Sequence, residues 1–411
     1  MDILNQDIQA QNSAEKLGQE SDKQSTHRTR TYLLLLTVAS ASSALYTLTV
    51  ISHLASLLGA GINTWLILVG IFFTSMIIGA KLASYFSKRI FNPLKLFALL
   101  QAGTGFLAVG LFSAFIFLAS KPIMSHQFTW LAALLLITPQ AILLGVIFPL
   151  LSFGILRCGP VKTGRSISLI YFCYGSGMAT GLALAPLLGS MTTGIAATIQ
   201  LSCLVHIMTA FFVCSLSVKD GRNPLPLEHP LSRNLCKKPL HPRLIFVFLV
   251  SIGVVTSLYE IMWIPFLSAI NSKLPYSAEL IFGSAILGLA LGAFATKNKS
   301  KKKIVPLHLL VKLKLFVLLL LAASLVLNNT FTGDSISAQV LTSFAQQAPL
   351  ASLFFACLIA MIGTLSLGAT MPLTIYMERN KRWDEAVFGN HYAHALVGVV
   401  AGISFSFLLL Y

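Results

Sequence analysis

The chain has 411 residues, 56% of them hydrophobic and only 10% charged, with a mean hydropathy of +0.81. That composition excludes a water-soluble globular domain and makes the bilayer the main solvent. The formal charge of +16 would suit nucleic acid or acidic partners if the 29 lysines and arginines shared one surface, but they fall in the breaks between apolar runs.

The first 31 residues are polar, mixed in charge and rich in Gln and Ser. A cytoplasmic tail is expected there rather than a cleavable signal peptide, with the first apolar run as an uncleaved anchor. Runs long enough to cross about 30 Å of hydrocarbon follow, at 32–55, 64–84, 94–119, 128–156, 166–188 and 192–217. A basic, proline-rich linker at 218–243 is too short for a catalytic domain. Further runs lie at 243–269, 277–296, 306–327, 349–377 and 390–410. About eleven transmembrane helices are therefore predicted, six in 32–217 and five in 244–411. The fold class is all-α polytopic, because the runs are continuous and not alternating, and a helix satisfies its own backbone in lipid.

Set against these spans, 27 of the 29 basic residues lie on one side, leaving Lys121 and Lys273 on the other. The positive-inside rule makes the basic side cytoplasmic, so the N-terminus is expected inside and the C-terminus outside, in a bacterial inner membrane. Net charge then reports topology, and no nucleic-acid partner is expected. The six cysteines form no CxxC pair, and no disulfide framework or zinc site is implied.

The chain repeats itself. An offset of 213 aligns Leu45 and Tyr46 with Leu258 and Tyr259, Gly79 and Ala80 with Gly292 and Ala293, and Pro93 with Pro306. GVIFP at 145–149 answers GATMP at 368–372, and at an offset of 221 Tyr171, Gly177 and Gly181 answer Tyr392, Gly398 and Gly402. The second unit lacks a sixth helix. An even number of crossings in the first unit makes the repeats parallel, as in the halves of major-facilitator-type transporters.

The motifs YE-x-x-W at 259–263, GLALG at 288–292 and GATMP at 368–372, followed by a tyrosine and spaced glycines, resemble the membrane module of fused spermidine/spermine synthase-like proteins. The resemblance runs over about residues 38–217 and 245–410. In that family a soluble aminopropyltransferase-like domain commonly follows; no such domain is present in this sequence, so synthase activity is not expected. YFCY at 171–174 and YAHA at 392–395 stand where the family has a Tyr-Ala-x-Asn-like stretch, and Pro265 stands where it often has arginine.

Glu260 is the one acidic residue in the middle of a long apolar run. Helical spacing puts Thr256, Ser257, Glu260, Trp263 and Leu267 on roughly one face. A charged side chain at mid-bilayer costs about 2.5–3.5 kcal/mol on insertion scales and usually faces a bundle interior or cavity. Low-dielectric surroundings favour the neutral form of a carboxyl in general, which suits proton exchange. Pro265 is expected to break the helix nearby. The candidate substrate or proton site is thus Glu260, Tyr259, Trp263, Ser257 and the mid-span His206. The alternative for Glu260 is a neutral carboxyl hydrogen-bonded to a neighbouring helix. The pseudo-equivalent of Glu260 is Thr47, so such a site is asymmetric.

Other polar positions have blander readings. Gln101, Gln140 and Gln200 suit interhelical hydrogen bonds, and the pairs Gly177/Gly181, Gly288/Gly292 and Gly398/Gly402 suit close helix packing. His391 and His394 lack further metal ligands at suitable spacing. Lys81, close to a helix end, can snorkel and needs no partner. The run 297–303 could hold anionic lipid or an acidic partner, though its role in topology already accounts for it. No Ser/His, paired-carboxylate or metal constellation marks an enzyme, and no cofactor is expected. Two functions remain open: a transporter-like protein moving a small cationic solute such as a polyamine with proton coupling, or a membrane module whose basic loops recruit a separate enzyme or assembly partner.

Overall fold

The computed structural model describes residues 2–59, 62–90, 92–119, 126–158, 163–190, 194–219, 242–271, 277–297, 312, 315, 319, 343, 345–378 and 385–410. Among them, ten long helices are α1 (Asp2–Leu58), α2 (Ile62–Phe86), α3 (Pro93–Ala119), α4 (His126–Cys158), α5 (Thr163–Ser190), α6 (Gly194–Lys219), α7 (Pro242–Ile270), α8 (Ser277–Ala295), α9 (Pro349–Glu378) and α10 (Glu385–Leu410). Each contains a stretch long and apolar enough to span a bilayer. The predicted span at 306–327 lies outside the described residues, apart from Lys312, Leu315 and Leu319. The described helices are those of a multi-pass membrane protein.

Helices form here because each backbone N–H must find its carbonyl within the segment when no water is at hand. Hydroxyl side chains follow the same rule: Thr49 donates to the Leu45 carbonyl and Thr256 to that of Ile252. Polar residues do not end α1, which continues backwards through the N-terminal stretch as far as Asp2. Prolines are absorbed too, with Pro139 and Pro149 inside α4, Pro186 inside α5 and Pro372 inside α9. The expected break at Pro265 does not occur, since α7 runs unbroken to Ile270. One lost donor leaves the flanking hydrogen bonds in place, which suffices in a membrane helix.

Helices α1–α6 belong to the first half of the chain and α7–α10 to the second. Within them α2 packs on α4 and α1 on α5, while α8 packs on α9 and α7 on α10; across them α5 meets α8 and α2 meets α10. The sequence offsets map α1, α2, α4 and α5 onto α7, α8, α9 and α10, so the two cross-contacts are one contact seen twice.

The glycines carry this equivalence to single atoms. A Cβ on Gly79 would strike the Ile142 carbonyl, and one on Gly292 the Leu365 carbonyl; Gly145 faces Met76 as Gly368 faces Leu289. Gly177 lies against the Thr37 carbonyl and Gly398 against that of Val250, its partner 213 residues on. Each glycine lets two helix backbones touch where any side chain would hold them apart.

Candidate functional site

Glu260 sits in α7 ten residues before Ile270, about 15 Å along the helix from that end. The residue is only partly buried, yet its Oε1 is closed to solvent and has no hydrogen-bond partner. Its neighbours are committed elsewhere. Ser257 donates to the carbonyls of Gly253 and Val254, and Thr256 to that of Ile252. Tyr259 donates across to the Ile359 carbonyl of α9 at 3.2 Å, and Trp263 packs on the Leu267, Ile281, Ala285, Ala356 and Ala360 cluster. The hydroxyls one turn away therefore do not tie Glu260 down. An unpaired buried polar atom costs about 1–3 kcal/mol, so this one stands out within its helix.

The pseudo-equivalent place in the first half is also polar and unpaired. Tyr46 and Thr47 of α1, with Val50, Ile51, Phe72, Ile137 and Gln140, line a void of about 10 Å³. Tyr46 Oη and both Gln140 amide atoms are buried without partners. In the second half Tyr259 corresponds to Tyr46, and Gly363 takes the place of Gln140. The Tyr259 hydroxyl occupies the space that a Gly363 side chain would need. By its position alone Gln140 suits an interhelical hydrogen bond; the alignment of 140–149 with 363–372 shows its exchange for glycine.

His206 does not join this group. It is buried between α6 and α3, with its Nδ1 2.6 Å from Gln101 Nε2. Nearby Ser202 bonds Ser42 of α1, its hydroxyl 2.9 Å from the Ser42 carbonyl. Among the described residues α6 packs on α1, α3 and α5, all in its own half.

At the end that carries the basic loops, an aromatic cluster closes the space between the halves. Phe148 of α4 lies 4.1 Å from the Tyr174 ring and 4.6 Å from that of Tyr392, with Tyr171 and Phe388 each at 5.6 Å. The hydroxyls of Tyr174 and Tyr392 share a 3.0 Å hydrogen bond between α5 and α10. Tyr171 packs against the Ile245, Leu249, Ile252 and Met371 cluster of the other half. Phe148 and Met371 hold equivalent places, each just before a helix-internal proline, and each meets a tyrosine of the opposite half.

Two latches flank the cluster. Lys81 Nζ donates to Asn390 Oδ1 at 3.1 Å and lies 3.3 Å from His394 Nε2, joining α2 to α10. Lys81, which needs no partner to snorkel, has two here because α10 brings polar side chains alongside. On the other side Ser168 and Thr296 hydroxyls meet at 2.9 Å and Phe172 stacks on Phe294 at 4.8 Å, joining α5 to α8. At the opposite end Trp65 of α2 and Phe282 of α8 touch edge to face at 6.4 Å. The halves therefore meet near both ends, while the Tyr46 void lies within the first half, lined by α1, α2 and α4.

Two outcomes follow from this closure. Phe148 is buried among four aromatic rings, and Phe148→Ala should destabilise the protein by about 3–5 kcal/mol. It should also let a thiol reagent reach a cysteine placed at position 47 from the basic end; unchanged labelling would mean that the cluster does not seal. Lys81→Met removes a half-exposed latch and should lower stability by only about 0.5–1 kcal/mol, read as a shift in thermal midpoint in detergent.

No family model matches the chain, and no curated sequence matches it. Among solved structures it is similar to a bacterial homologue of the iron transporter ferroportin in the outward-facing state, with a TM-score of 0.58 and 13% identity over 93% of both chains. It is similar also to XylE, a major facilitator superfamily proton:xylose symporter bound to 6-bromo-6-deoxy-D-glucose, with a TM-score of 0.51 and 15% identity over 93% of this chain and 89% of that one. The chain shares the fold of these two transporter structures. At these identities the likeness is one of fold, and the side chains at the site carry any argument about solute.

Proposed function

We propose that this chain is a membrane transporter for a small cationic solute, a polyamine being the class that fits, and that Glu260 alternates between a proton and the solute. The observation that carries this reading is the Glu260 carboxyl, deep in α7, with Oε1 closed to solvent and no protein partner. An unpaired carboxylate held away from water is costly, so the group keeps a proton until a cation displaces it. Exchange of that kind couples solute movement to the proton gradient.

Support for the reading comes from the two halves meeting near both ends of the bundle and from Glu260 standing far from either end of α7. In a major-facilitator-type bundle such halves rock about a central site. The basic loops face the cytoplasm in this proposal, which makes the aromatic cluster the inner seal. The polyamine class draws on the single carboxylate and on the resemblance of the YE-x-x-W and GATMP motifs to membrane modules of synthase-like proteins. The test is uptake of labelled spermidine and putrescine by purified protein in liposomes under an imposed proton gradient. Uptake above that of protein-free liposomes, lost when the gradient is collapsed, is expected. Equal uptake in both would remove the transporter reading for this solute class.

A further inference from the structure

The two repeats solve one packing problem differently, and the difference leaves a site. In the second half Tyr259 turns onto Gly363 and bonds the Ile359 carbonyl at 3.2 Å. The equivalent carbonyl in the first half is that of Leu136, but Tyr46 makes no hydrogen bond to it or to anything else. Gln140 stands where Gly363 would be, so the space into which Tyr259 turns in the second half has a side chain at its counterpart in the first. Tyr46 is 2% exposed and Gln140 1% exposed. Three of their polar atoms are unpartnered, and both side chains line one void of about 10 Å³ together with Thr47. A space of that size admits one water-sized group, and such a group is stable when two to four polar partners surround it.

We infer that Tyr46 and Gln140 form a neutral binding site in the first half for one small group that both donates and accepts hydrogen bonds. The Gln140 amide offers donors and an acceptor, and the Tyr46 hydroxyl offers one of each. The site carries no formal charge, so it recognises an O–H or N–H group rather than an ion, and it complements the carboxyl at the equivalent place, Thr47 to Glu260, in the other half. The group has two sources: a resident water, or a hydroxyl or amino group of a solute. Only the second source rests on the transporter reading.

The experiment is an electron cryomicroscopy map of the full chain in lipid nanodiscs, without added solute, fine enough to show ordered water, together with maps of Tyr46→Phe and Gln140→Leu. A non-protein peak within hydrogen-bonding distance of Tyr46 Oη and the Gln140 amide is expected in the wild type and should be lost in Gln140→Leu. A direct Tyr46 to Gln140 hydrogen bond with no third atom would overturn the site. Should Gln140→Leu fold poorly, Gln140→Gly copies the second half. Tyr46 should then turn to the Leu136 carbonyl as Tyr259 does to Ile359, and the peak should vanish; a Tyr46 that stays in place with the peak kept would overturn the role of Gln140.

The source is read separately, from spermidine counterflow in liposomes. A rise in KM of about tenfold in Gln140→Leu at unchanged kcat assigns the group to the solute. An unchanged KM with the wild-type peak present assigns it to water. Because the map is made without transport, absence of spermidine movement would count against the proposed function and leave the site standing.

Discussion

Glu260→Gln should lower gradient-driven spermidine uptake by at least about 100-fold while leaving the thermal midpoint of the purified protein unchanged or raised. Glutamine keeps the shape and volume of the neutral acid but releases no proton, so it separates exchange from packing. If the carboxyl were instead a tie between helices that accepts hydrogen bonds on both oxygens, exchanging one oxygen for an N–H2 donor would lower stability, because breaking a buried polar pair strands the other partner. The surroundings argue against a tie: the hydroxyls of Ser257, Thr256 and Tyr259 all donate to backbone carbonyls, and Oε1 has no partner. The distinguishing readout is the response to an imposed gradient. Wild type should be driven by it, whereas the glutamine variant, if it binds solute at all, should show the same slow uptake with and without it. A variant that stays as sensitive to the gradient as wild type would sink the proton role of Glu260, even if total uptake fell.

The helical spans were legible because a membrane helix has only one strong requirement, a continuous apolar run of sufficient length. Glu260 was legible for the same reason, as the acid interrupting such a run. Partnerships between distant residues were not. Lys81 and His394 are 313 positions apart and meet only because α2 packs on α10. His206 looked like a companion for Glu260 by its mid-span depth, but depth says nothing about azimuth, and α6 turns it towards Gln101 of α3. The Tyr46 site illustrates an intermediate case. Its residues were visible as isolated polar positions, and the 213 offset already paired Thr47 with Glu260. Their meaning needed the α4 to α9 register as well, since only that register sets Gln140 against Gly363, and only packing shows one tyrosine bonded while the other is not.

Gly292→Val should prevent recovery of folded protein, or lower its stability by more than the roughly 1–3 kcal/mol typical of an overpacked core. A Cβ at 292 meets the Leu365 carbonyl and the Ala369 amide nitrogen, and these are backbone atoms that no rotamer change can move. The same seam holds Gly288 against Met361 and Gly368 against Leu289, so α8 and α9 would have to separate along most of their contact. The equivalence of the halves makes the expectation stricter. Gly79→Val should fail in the same manner, because it drives α2 from α4 at the Ile142 carbonyl. Gly103→Ala and Gly110→Ala, whose added Cβ meets nothing within 4 Å, should fold normally and, by helix propensity, gain up to about 1 kcal/mol each. Yield after size-exclusion chromatography and the thermal midpoint in detergent would measure all four. If Gly292→Val and Gly79→Val behaved like the two exposed controls, the close α8/α9 and α2/α4 seams would be wrong, and with them the atomic equivalence on which the contrast between Gln140 and Gly363 rests.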